Sequence, residues 1–154
     1  MISPATITAQ AALFAVATAS LFVAAREDVK RRLIPNATGL LVLAAGAGLR
    51  LLSEPRLFWI SAAAASATYV ALATLTHASL IGGGDAKLGT AVTFLVPASE
   101  VPALFLDIAL AGGLLSLAYL AAKRASLTSD PTLPYGVAIL GGSLYRMAVD
   151  LCFR

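Results

Sequence analysis

Apolar stretches long enough to cross a lipid bilayer recur along this chain with short gaps between them, and they restrict its architecture more than any other feature. A hydrocarbon core about 30 Å thick is crossed by about 20 residues of helix. The first run, Ala5 to Ala25, contains no charged residue. A second covers Ala37 to Leu52 with only Arg50 inside it, and a third covers Leu57 to Leu75 with Phe58 and Trp59 at its start, where interfacial aromatics anchor spans. A weaker fourth follows the glycines at 82–84 and stops at Pro97. Val101 to Ala122 forms a fifth carrying Asp107, and the sixth starts at Pro134 and reaches about Leu151, with Arg146 and Asp150 in its last turns. The pattern predicts an all-α, polytopic membrane bundle of about six transmembrane helices in a single domain, 1–154, with the fourth segment the weakest.

Composition agrees. The chain is 59% hydrophobic and 12% charged, whereas a soluble domain carries about 25% charged residues; mean hydropathy is +0.87. The first run lacks the basic segment that opens a cleaved signal peptide, so it is expected to remain in the mature protein. The single cysteine, Cys152, permits neither an internal disulfide nor a paired-cysteine zinc site. The net charge of +3 reads as membrane orientation and not as affinity for nucleic acid. With the N-terminus outside, seven basic residues (Arg26, Lys30, Arg31, Arg32, Lys87, Lys123, Arg124) fall on the cytoplasmic side and four (Arg50, Arg56, Arg146, Arg154) on the other. The small residues of the spans, such as Ser61 to Ser66, suit close helix packing or equally reflect a compositional habit.

Ionisable groups at the edges of such runs are costly and carry function or a partner. Four acids qualify: Asp28, Asp85, Asp107 and Asp150. A helix continued from Ala5 to Asp28 is about 36 Å long, which puts Asp28 at the membrane surface. There Pro35 takes Ile34 out of helical geometry and can open the next helix. Local composition allows a solvated loop in which Asp28 only balances Lys30, Arg31 and Arg32. Asp85 follows Gly82-Gly83-Gly84, a poor helix-forming stretch that permits bending and close approach. The apolar stretch behind it makes a helix of only about 18 Å, and a short helix bearing an acid is tolerated where it lines a wet cavity or is buried in protein. An ordinary N-cap in a cytoplasmic loop is the other reading. Counting spans brings Asp28 and Asp85 to the same face. Two carboxylates meeting there would share a proton, the arrangement with which one activates water while the other donates to a peptide carbonyl.

Three motifs in order carry a resemblance. Asp28 followed by Ile34-Pro35-Asn36, then Gly82-Gly83-Gly84-Asp85 with Lys87-Leu88, then Leu133-Pro134-Tyr135-Gly136 opening the last span, resemble the type IV prepilin peptidases among the GxGD intramembrane aspartyl proteases. The resemblance implies a catalytic dyad of Asp28 and Asp85, with Gly82, Gly84, Lys87, Pro35, Asn36, Pro134 and Gly136 as motif or supporting residues. It implies cleavage of a short basic leader from a prepilin or pseudopilin precursor at the cytoplasmic face of the inner membrane, with neither metal nor other cofactor. Larger members add a cysteine-paired domain that methylates the new N-terminus. Without such a pair, this chain looks like the small peptidase-only form of Flp (tight-adherence) pilus systems, the preflagellin peptidases being near relatives. A non-catalytic pilus-assembly scaffold, or a small ion- or proton-conducting bundle, is the alternative.

The remaining polar residues read as structural. Lys87 lies about 200° around a helix from Asp85 and does not face it. The basic cluster suits anionic lipid head groups. His77 is expected at the surface or as a cap, Asp107 at the head groups, Asp150 paired with Arg146 at helical spacing, and Tyr135 and Tyr145 as interfacial anchors.

Overall fold

The longest apolar run becomes the longest helix. In the computed structural model, which describes residues 3–124 and 133–153, α1 runs Pro4–Arg31, started by the Ser3 hydroxyl accepting from the Thr6 amide. It stops where Arg32 turns into the left-handed region at φ 53°. Pro35, extended at ψ 136°, then opens α2, Asn36–Ser53. A 3-10 turn at Pro55–Leu57 leads into α3, Phe58–His77. After a loop come α4, Gly83–Val92, then α5, Val101–Arg124, and α6, Tyr135–Phe153. Among the described residues the secondary structure is entirely helical, as expected. Four segments are long and apolar enough to cross a membrane: Pro4–Arg31, Asn36–Ser53, Pro55–His77 and Ala98–Arg124.

The fourth segment crosses the bundle differently. α4 has ten residues, about 15 Å of rise, too little to span. It continues as a 3-10 turn, Thr93–Leu95, and an extended Val96-Pro97. Phe94 at the far end of this path packs on Gly46 of α2 and on the Phe58 ring at the start of α3, centroids 6.0 Å apart. The segment is the centre of the molecule: Leu88, Val92 and Val96 are fully buried, with Ala91 and Leu95 beside them. Protein on all sides lets irregular backbone exist at membrane depth, since its polar groups never meet lipid. The outer face of α5 is the reverse. Leu106, Leu110, Leu114 and Leu117 recur at helical spacing and are all exposed, a stripe with lipid as its natural solvent.

α1 pairs with α2 and α6, α5 pairs with α6, and α4 lies against α2 and α3. Gly142 makes the tightest of these crossings: a side-chain carbon there would sit 2.5 Å from the Ile108 backbone. Chain direction puts the end of α1 and the starts of α2, α4 and α6 together at one end of the bundle. The start of α5 and the end of α6 lie at the other, where the Arg146 Nε donates to Asp107 at 2.7 Å and its Nη1 to Glu100 at 3.2 Å. This corrects two expectations. Asp107 is buried and neutralised by α6 instead of reaching head groups, and Arg146 finds acids on the neighbouring segment where helical spacing had pointed to Asp150. Tyr145 is exposed, as an interfacial anchor would be, and exposed His77 closes α3.

Candidate active site

The three sequence motifs meet at one end through contacts between their own residues. Asp28 lies in the last turn of α1 and is buried. The backbone N–H of Gly136, second residue of α6, donates to its Oδ2 at 2.7 Å. A donor at a helix start is both unsatisfied within the helix and at the positive end of its dipole, so a carboxylate is its natural partner. Gly136 must be glycine for this approach, because a Cβ would stand 3.0 Å from Asp28 Oδ2 and 3.1 Å from its Cβ. Pro134, buried just before α6, accepts the Val137 amide on its carbonyl and so forms the first turn that aims the Gly136 N–H.

The second motif docks on the first. A Cβ on Gly84 would lie 3.1 Å from the Ile34 Cβ, so the bare glycine lets α4 rest against the loop preceding Pro35. Lys87 Nζ donates to Asn36 Oδ1 at 3.0 Å, joining α4 to the first residue of α2. Lys87 also borders the cavity that contains Asp85. None of the described glycines has a positive φ. The run at 82–84 therefore serves close approach, with Gly83 and Gly84 forming the first turn of α4.

Asp85 occupies the third position of that helix and reaches back to the backbone of Gly82, with its Oδ2 2.9 Å from where a Gly82 Cβ would be. It thus also performs part of the capping task that the plainer reading gave it. Burial, and next the charge of Asp28, push its carboxyl up to about 6, with the Gly82 hydrogen bond opposing. The two carboxyls line one cavity of about 650 Å³, bordered by the 31–36 loop and the glycines. Among the described residues neither is paired with a lysine or arginine. Of the basic residues that border this cavity, Arg31 holds Glu27 at 3.2 Å and Lys87 donates to Asn36.

Sequence reasoning missed Tyr135. It is half-buried, with its ring and hydroxyl packed over Gly112 of α5 (2.9 and 3.1 Å from a Cβ placed there), and it lines a second cavity that also contains Asp85. Its place between Pro134 and Gly136 was the available signal.

Fold and site together define a multi-pass helical membrane protein with two carboxyls sharing a cavity at one end, neither of them ion-paired among the described residues. The model of the type IV leader peptidase family matches residues 15–117, about two thirds of the chain, and the chain belongs to that family. That range includes the Asp28 and Asp85 motifs and stops short of Pro134-Tyr135-Gly136. No curated protein and no solved structure matches the chain significantly. Membership in a leader peptidase family supports a protease activity for the chain.

Proposed function

We propose that this chain is an aspartyl endopeptidase that removes the short leader from prepilin or pseudopilin precursors at the cytoplasmic face of the inner membrane, with Asp28 and Asp85 as its dyad. The observation that carries the reading is that these two acids, on different helices, line one cavity and that neither is ion-paired among the described residues. Intramembrane acids placed for structure are neutralised, as Asp107 is by Arg146. The single cysteine favours the peptidase-only, Flp-type form without methyl transfer.

The chemistry follows from the asymmetry of the pair. Asp85, pushed up to about 6, is the carboxyl whose burial favours the protonated form, so it donates to the scissile carbonyl oxygen. Asp28, with Gly136 N–H fixing Oδ2, keeps its other oxygen to draw a proton from the attacking water. The tetrahedral diol then collapses as the amine leaves with a proton, and no covalent enzyme intermediate forms. A conducting bundle would need acids strung along its length, and the other buried acid, Asp107, is held in an ion pair.

The test is cleavage of a co-expressed prepilin-type precursor by Asp28→Asn and Asp85→Asn. Each should accumulate uncut precursor while inserting normally in the membrane. Normal processing by either variant would overturn the assignment.

A further inference from the structure

Asp85 borders two cavities of different character. One is the polar cavity it shares with Asp28. The other, about 470 Å³, is apolar and lies between α3 and α5, which do not form a packed pair. Its floor is α4, where Asp85 and Gly89 are one helical turn apart on the same face. Its inner end closes where Leu72 of α3 and Phe105 of α5 converge over Gly89, at 3.1 and 3.8 Å from a Cβ placed there. Leu75 and Ala109 form its exposed rims. An apolar groove therefore leads from the exposed rims at Leu75 and Ala109 to one of the two carboxyls.

Resting on the peptidase reading, under which the precursor is expected to carry an apolar helix just after its leader, we propose that the α3–α5 groove receives that helix, while the leader occupies the polar cavity on the other side of Asp85. The argument for a peptide occupant over a lipid chain is the acid in the wall. An acyl chain offers a carboxyl no hydrogen bond, so its presence there would leave Asp85 facing hydrocarbon. A chain that enters as helix and loosens at the scissile bond presents carbonyl and N–H groups where Asp85 stands, and hydrocarbon to Leu72, Phe105 and Gly89. Continuity fixes the direction: the apolar side of the substrate must leave toward lipid, and this groove opens there from the carboxyl pair.

The test compares two substrates on the full-length protein in lipid nanodiscs: an intact precursor with its apolar helix, and a leader peptide ending four residues after the scissile bond. Ala109→Phe and Leu75→Trp fill the groove from exposed positions that need no core rearrangement. Each should lower kcat/KM for the intact precursor by about 10-fold or more, chiefly through KM, and leave the truncated peptide within about 2-fold. In a Cys152→Ser background, Ala109→Cys should crosslink to cysteines placed just after the scissile bond and not to cysteines in the leader. Unchanged cleavage of the intact precursor would leave the groove to acyl chains and overturn the proposal, as would an equal loss on both substrates. If Asp28→Asn still cuts the truncated peptide, the peptidase reading itself falls, whatever the groove variants do.

Discussion

Asp28 and Asp107 are buried almost equally, at 7% and 9% exposure, yet the two ends of the bundle treat them in opposite ways. Asp107 receives a guanidinium at 2.7 Å, and Glu100 shares it. Asp28 receives one backbone N–H at 2.7 Å and, across the cavity, a second acid. A buried charge held only by an amide and facing a like charge is poor design for stability. It persists where the charge has work to do, so the partner of a membrane acid, and not its depth, separates scaffold from chemistry.

That contrast can be broken in graded ways. The largest effects should come from Asp28→Asn and Asp85→Asn, each lowering kcat by at least ~10³-fold without lowering thermal stability, measured on purified protein with a precursor substrate. At the other end Arg146→Met should do the reverse. Leaving Asp107 buried and unpaired should cost about 3 kcal/mol of stability, read by denaturation in mild detergent, with kcat of the folded fraction preserved. The double variant Arg146→Met/Asp107→Leu should recover much of that loss; if the single variant is silent, the far-end pair is ornamental. Gly136→Ala should push Asp28 off its amide and lower kcat by ~10- to 100-fold with KM little changed. Gly113→Ala, at a site with nothing within 4 Å, is the control expected to do nothing.

The smallest effect concerns pH. Asp85 is raised from 3.8 to about 6, so its ionised form is disfavoured in the fold. Below about pH 4 the carboxyl is protonated in folded and unfolded chains alike and imposes no cost. Between about pH 4 and 6 the unfolded chain gives up the proton while the folded chain keeps it, so stability falls with rising pH relative to a neutral side chain and levels off above 6. Asp85→Asn should therefore melt higher than the parent at pH 8, with the gap closing on acidification through 6 and gone below 4. A gap of constant size across that range would mean that burial does not govern this carboxyl.

Much of this was legible before any coordinates. Long apolar runs must become helices in lipid, because backbone polar groups there have no other partners. The acids stood out because charge is expensive in that solvent, and counting spans brought Asp28 and Asp85 to one face. The broken fourth segment was legible too, as an apolar stretch too short to cross beside three glycines. Spacing along one helix pointed Arg146 to Asp150, but it carries no information about a neighbouring helix, and the guanidinium went to α5. Composition assigned Tyr135 to an interface because aromatics gather there. Its actual place over Gly112, lining a cavity with Asp85, depends on how α5 and α6 cross.

The sequence by itself determined the helices, their order and which acids were out of place, since those follow from solvent and chain direction. Only the tertiary structure decided which acid each donor would meet: Gly136 N–H for Asp28, Arg146 for Asp107. It alone opened an apolar path between α3 and α5 to Asp85. Those outcomes turn on how helices distant in the chain approach one another, at Gly136 and Gly142 among other places, and no local pattern encodes such a distance.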